Sequence, residues 1–330
     1  MGFKNSLIDY RDNKKEFGLD IAKSKLICRI LFSIDKKFNW NLPFKKYWIK
    51  NFETKEKLVL EYLEENYNYI LNEYINSCLN TDKLEDSNKV WVCWFQGMEN
   101  APYNVKLCYE ALKLNFENKD IVVIDETNIK EYVHIPNQIF TLWKSGRISN
   151  QLFSDIVRTD LLFYHGGYWV DATCLFFKKL PEMDSKFSVF YAKNLIDFPS
   201  DYNYIDIKKW EAYFIYSKKN NLFFKYLNDC LIEYSLNNKL LIEYLLMNYF
   251  AKIGRENVIY FNTQDKMVPT NNTQCEILKR SLNSHRDEFE ISEDTYFVKL
   301  SSNEVYSSNK DSLFNKLLQK NKLNNEMENL

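Results

Sequence analysis

The sequence predicts an α/β chain: a mostly parallel sheet flanked by helices, preceded by an N-terminal helical extension. Three observations carry that prediction. Apolar, β-prone runs at Val90–Phe95 and Ile121–Asp125 bracket a helical stretch at Ala101–Phe116, the spacing of a βαβ unit. Another helix, capped by Ser149, runs to about His165 and gives way to an apolar strand at Tyr168–Val170. Ahead of both, Leu58, Leu60, Tyr62, Leu63, Tyr67, Ile70, Leu71 and Tyr74 recur at helical spacing.

Taken in order, residues 1–87 read as a helical region. Residues 18–50 within it hold Lys23, Lys25, Arg29, Lys36, Lys37, Lys45, Lys46 and Lys50 against only Asp20 and Asp35. Phe38, Trp40, Phe44, Tyr47 and Trp48 are interleaved with them. Cations beside amphipathic rings suit an anionic lipid surface, so this segment is expected to touch a membrane face peripherally. The polar stretch Thr81–Asn88 then serves as a linker.

A sheet domain follows over 88–302. Its first strand closes at Gly97 and its second ends in Asp125, and parallel strands place ligands beyond their carboxyl ends. Trp94–Gly97 and Asp125 are therefore expected at the lip of a site. Gly166-Gly167 turns the chain after the Ser149 helix, and the next strand delivers Asp171. Further on, strands are expected at Phe187–Lys193, Val258–Phe261 and Tyr296–Leu300, with helices between Leu222 and Ile253. Residues 303–330 read as a lysine- and asparagine-rich amphipathic tail.

Composition narrows the function classes. A hydrophobic fraction of 45% supports a sizeable core, and a net charge of -1 gives no general drive toward nucleic acid. The seven cysteines are scattered with no CxxC pair, which argues against a zinc site or disulfide framework and fits a reducing, cytoplasmic compartment. No uninterrupted apolar stretch approaches a membrane span. P-loop, GxGxxG and GxSxG motifs are missing, so ATPase, dinucleotide and serine-hydrolase readings have no support. His165 is read as a partly cationic residue serving a helix C-terminus, while His134 and His285 lack partners at metal-ligand spacing.

The informative stretch is Ser154-Asp155-x-x-Arg158-x-x-Leu161-Leu162-x-x-x-Gly166-Gly167-x-Trp169-x-Asp171-x-Thr173. Asp155 and Arg158 stand three apart and share one helix face. An aspartate at the end of an apolar strand needs a cation or hydroxyls to meet it. This pattern resembles the sugar-binding region of GT-A glycosyltransferases that carry a DxD motif, and within them most nearly the bacterial capsular polysaccharide synthesis family. Val90–Gly97 with Ala101-Pro102 resembles that family's first strand and loop. Trp210–Phe214 with Ile242–Met247 resembles its later helices, and Lys299-Leu300-Ser301 its closing strand.

The resemblance implies a GT-A, Rossmann-like fold and transfer of a sugar from a nucleotide donor, UDP in most relatives, with retention of configuration. The acceptor implied is polyprenyl-linked or an oligosaccharide, at the inner face of the cytoplasmic membrane. Asp155 would bind donor hydroxyls and Arg158 the sugar or its phosphates. Asp171 matches the first Asp of DxD, and Trp94, Phe95 and Gln96 would line the donor site near the base. Lys299 would neutralise the departing diphosphate. Thr173 stands where relatives have the second Asp, so a Mn2+ or Mg2+ ion at Asp171 and Thr173 would need another acid, with Glu243 and Glu304 as candidates. As a single lip residue, Asp171 is expected to be replaceable without loss of fold. Thr173 also motivates the alternative of a non-catalytic nucleotide-sugar-binding subunit; a protein-glucosylating effector is the third reading.

Overall fold

A computed structural model describes residues 3–37, 45–77, 84–183, 186–193, 210–284 and 290–320. Three helices lead: α1 (Phe3–Phe17), α2 (Leu19–Lys37) and α3 (Lys45–Ser77). The periodicity of α3 becomes its packing face, since Val59, Leu63, Tyr67, Ile70, Leu71 and Tyr74 are all buried. Tyr67 meets Tyr234 and Phe250 edge-on or tilted at 5.8 and 5.6 Å. The extension therefore shares one continuous hydrophobic core with the sheet domain.

The chain continues through β1 (Lys89–Cys93), α4 (Tyr103–Asn115), β2 (Asp120–Ile124), α5 (Ile129–Tyr132), α6 (Asn137–Lys144), α7 (Asn150–Tyr164), β3 (Gly167–Val170) and β4 (Cys174–Phe176). Then come β5 (Val189–Ala192), β6 (Glu211–Ser217), α8 (Leu222–Asn237), α9 (Leu246–Asn257), α10 (Ile259–Met267), α11 (Cys275–Ser281), β7 (Phe297–Lys299) and α12 (Leu313–Lys320). The main sheet has the order β2-β1-β3-β6-β5. β1 pairs in parallel with β2 and β3, while β6 runs antiparallel to both β3 and β5. β5 thus points the same way as β1, β2 and β3, and β6 alone is reversed.

β1 is buried through its middle at Val90, Trp91 and Val92, and β3 and β5 are buried along their whole length. β2, read from sequence as buried, is an edge strand in which only Ile124 is fully covered. A separate two-stranded ribbon pairs β4 with β7, setting Cys174 opposite Lys299. The helix α12 seals a second core behind it, where Leu313, Phe314, Leu317 and Leu318 meet Leu107, Ala111, Leu175 and Val298.

Two element assignments need correction. The strand expected at Val258–Phe261 is the start of α10: Val258 and Phe261 are buried while Ile259 is 86% exposed, a three-residue period no strand produces. Trp210–Phe214, matched to a helix by resemblance, leads into β6, whose aromatic and β-branched run is buried between two neighbouring strands. In Ile242–Met247 only Leu246 and Met247 are helical.

The basic N-terminal segment is also rearranged. Trp48 is 3% exposed and stacks on Phe52, so its ring faces the core. Lys25 donates to the Ile242 carbonyl, and Arg29 pairs with Asp9 at 2.6 Å. Phe38, Trp40 and Phe44 lie outside the described residues, as does part of the expected linker. No described helix is long and apolar enough to cross a membrane.

Candidate functional site

Because β1, β2 and β3 are mutually parallel, their carboxyl ends lie on one edge of the sheet and bring Trp94, Asp125 and Asp171 to it. The connection from α7 to β3 sets the position of Asp171. Ser149 caps α7, its side chain accepting from the Leu152 backbone N–H. At the other end Gly166 and Gly167 adopt φ of +63° and +92°. A Cβ on Gly167 would lie 2.3 Å from the Lys89 carbonyl oxygen, and one on Gly166 would lie 2.5 Å from the Lys219 backbone nitrogen. Glycine is required twice, for its backbone conformation and for close approach. The turn folds β3 back so that Asp171 faces the helix just left.

Asp155, Arg158, Asp171 and Lys299 converge. Arg158 bridges the two acids, with Nη1 at 3.1 Å from Asp155 Oδ1 and Nη2 at 3.0 Å from Asp171 Oδ1. Lys299, brought in by the β4–β7 ribbon, holds Asp171 Oδ2. Trp169 donates its indole N–H to Asp171 Oδ1 at 2.8 Å, and its ring lies 4.8 Å from the Arg158 guanidinium carbon. Trp169 carried no role in the sequence reading. Its signal was present, because residues two apart on a strand share a face. Tyr213 completes the support: its carbonyl accepts the Asp171 backbone N–H at 2.9 Å, and its ring lies 5.5 Å from Lys299 Nζ.

The electrostatics differ between the two acids. Burial pushes the Asp155 carboxyl up to about 6, against the pull of Arg158. At Asp171 burial acts the same way but is outweighed by Lys299, Arg158 and the Trp169 donor, which hold it at about 2. For Lys299, burial would lower the pKa, and the Asp171 charge outweighs it and raises it. Removing Asp171 would leave Lys299 without its carboxylate and Arg158 with Asp155 alone, so Asp171→Ala is expected to carry a cost to the fold that its position at the lip did not suggest. Two buried donors here, Arg158 Nε and Trp94 Nε1, have no hydrogen-bond acceptor. Orphaned buried donors are costly, and a bound oxygen-rich ligand would satisfy them.

Other expected site residues fall elsewhere. Phe95 is in the core against Trp143 and Phe153, at 4.8 and 5.5 Å, which leaves Trp94 as the ring of that pair near the lip. Gln96 is exposed, its carbonyl taken by Asn100. Asp125 spends its carboxylate on Thr127 and Asn128, the Thr127 hydroxyl chiefly holding its pKa down. His165 departs from the partly cationic ring expected: burial lowers its pKa, and Nε2 donates to the Tyr132 carbonyl at 2.7 Å. His134 stacks on Tyr164 at 3.9 Å, and its backbone N–H serves buried Asp160, a second acid of α7 not singled out from sequence. His285 lies outside the described residues.

The donor set does not suit a hard cation. Both oxygens of Asp171 are engaged by Arg158, Trp169 and Lys299, and Thr173 offers a hydroxyl where a carboxylate is wanted. Glu243 is held by Lys55 at 3.0 Å beneath the N-terminal helices, and Glu304 is exposed beside the Tyr306 hydroxyl. Among the described residues no group of three or more His, Cys, Asp or Glu is placed to hold a metal.

Comparison with known proteins gives one family. The profile described as "capsular polysaccharide synthesis protein" matches residues 39–317, well over half of the chain. The match begins ahead of the expected sheet domain and runs past its end into α12. No curated protein matches. The chain belongs to the capsular polysaccharide synthesis protein family.

Proposed function

We propose that this member of the capsular polysaccharide synthesis protein family is a GT-A-type glycosyltransferase, moving a sugar from a nucleotide donor, with UDP as the nucleotide, onto a polyprenyl-linked or oligosaccharide acceptor. The observation that carries the reading is the convergence of Asp155, Arg158, Asp171 and Lys299 at the carboxyl edge of the sheet, with Arg158 Nε left without an acceptor within the cluster. Within the cluster two cations are balanced by two carboxylates. A nucleoside diphosphate leaving the anomeric carbon gains negative charge, and preplaced cations stabilise that charge in a site from which water is excluded. Lys299 would turn from Asp171 Oδ2 toward the phosphates, while Arg158 Nε gains an acceptor. Asp171, relieved of one cation, and Asp155 would accept hydrogen bonds from sugar hydroxyls. Trp94 would offer its indole N–H at the rim. No step in this scheme passes through a metal ion.

A second reading, a non-catalytic nucleotide-sugar-binding subunit, is motivated by Thr173 at the second DxD position. A panel of UDP- and GDP-sugars, assayed for nucleotide release with EDTA and with Mn2+, separates the two. The transferase reading expects slow UDP release from at least one donor in EDTA, and its loss in Asp171→Asn. Saturable binding of a UDP-sugar with no release under either condition would establish the second reading in its place.

A further inference from the structure

The helix α2 has one face fixed to the protein and another left uncovered. Ile21, Ala22, Ser24 and Cys28 are buried, and Lys25 reaches the Ile242 carbonyl, so the rotation of the helix about its axis is set. At about 100° per residue, Leu19, Lys23, Ile27, Ile30, Ile34 and Lys37 fall within an arc of about 80° on the opposite side. Leu19, Ile27, Ile30 and Ile34 remain 40, 38, 49 and 39% exposed, and both lysines are exposed. Among the described side chains of α2 the acid bordering this arc is Asp20, at its edge.

We infer that this stripe is a docking face for an anionic lipid surface. A row of branched aliphatics partly open to water is costly for a soluble helix, and contiguous exposed apolar surface marks an interaction site. The two ammonium groups select the occupant. Lysines can extend toward headgroup phosphates while their methylene stems lie along the acyl boundary. A second copy of the stripe would bring them no carboxylate beyond Asp20. Because no described helix can cross a bilayer, the contact is peripheral. Of the residues the sequence pointed to, Lys23 and Lys37 remain available, Trp48 is turned inward, Lys25 and Arg29 are paired within the protein, and an aliphatic stripe supplies the apolar contact. The inference does not rest on the proposed sugar transfer, since lipid binding is read without turnover.

The test is flotation of the full chain with vesicles of 30% phosphatidylglycerol in phosphatidylcholine, against pure phosphatidylcholine vesicles. The wild type is expected to float with the anionic vesicles at least tenfold more than with the neutral ones. Ile27→Ser/Ile30→Ser/Ile34→Ser should reduce that binding about tenfold while UDP-sugar binding and the melting temperature hold. Lys23→Glu/Lys37→Glu, which alters no apolar contact, should reduce it comparably and keeps the test valid if the serine variant folds poorly. Wild-type chain that stays with neither vesicle, or variants that float like wild type, would overturn the inference. So would a wild-type dimer that the serine variant converts to monomer.

Discussion

Asp171 and Glu243 are each gripped by two cations, and only one grip looks like a site. Asp171 is held by Arg158 and Lys299 at the carboxyl edge of the sheet. Glu243 is held by Lys55 at 3.0 Å and approached by Lys25 at 4.0 Å, where the N-terminal helices meet the loop before α9. Both clusters are mostly buried. They differ in what is left over. Around Glu243 the spare donor capacity of Lys25 is absorbed by the Ile242 carbonyl, so the cluster closes on itself. Around Asp171 a second acid with a raised pKa shares Arg158, whose Nε remains without an acceptor, as does Trp94 Nε1 after β1 at the same edge of the sheet. Buried charge alone does not mark function. Unfilled hydrogen-bonding capacity at an edge where ligands can enter does.

The largest expected effect separates the two clusters by activity. Asp171→Asn should lower UDP release by about 10²–10³-fold, and a UDP-sugar that raises the wild-type melting temperature should no longer do so in the variant. Retained turnover would make Asp171 as structural as Glu243 and dissolve the comparison. The reverse is expected at the other cluster. Glu243→Ala should cost about 3–5 kcal/mol of stability in urea titration by stranding Lys55 and Lys25, with turnover of the folded fraction unchanged.

The pH dependence sharpens the contrast. Burial sets the Asp155 carboxyl at about 6, so turnover should fall on the acid side with a midpoint near that value as its ion pair with Arg158 is lost. Asp155→Asn should be slow and should lack that limb. The smallest effect is at Asp160, where burial also raises the pKa to about 6. A folded-state pKa above the ordinary carboxylate value of about 4 means that the folded chain holds the proton more tightly, so this group adds stability as pH falls from about 6 to about 4. Asp160→Asn should remove that contribution, at most about 3 kcal/mol, seen as a flatter change of urea midpoint between neutral and mildly acid pH.

Much of this arrangement was readable from residue order. Period and propensity located α3, β1, α4, α7 and β3, and Ser149 and the glycine pair marked the ends of α7 because capping and positive φ are local demands. The three-residue step from Asp155 to Arg158 and the end-of-strand position of Asp171 are local as well. Short apolar runs were where the reading failed. Val258–Phe261 and Trp210–Phe214 have compositions that strands and buried helices share, and their neighbours in space decided the outcome.

By itself, then, the sequence determined which side chains α7 and β3 would offer, since helical and strand periods depend only on near neighbours. Only the tertiary structure decided what meets them. Lys299 stands 128 residues from Asp171 and is brought to it by the β4–β7 pairing, while Glu243, equally plausible on paper, is drawn to Lys55 beneath the N-terminal helices. Charge pairing and ring burial act through space between segments far apart in the chain, and no local period records which partner a buried group will find.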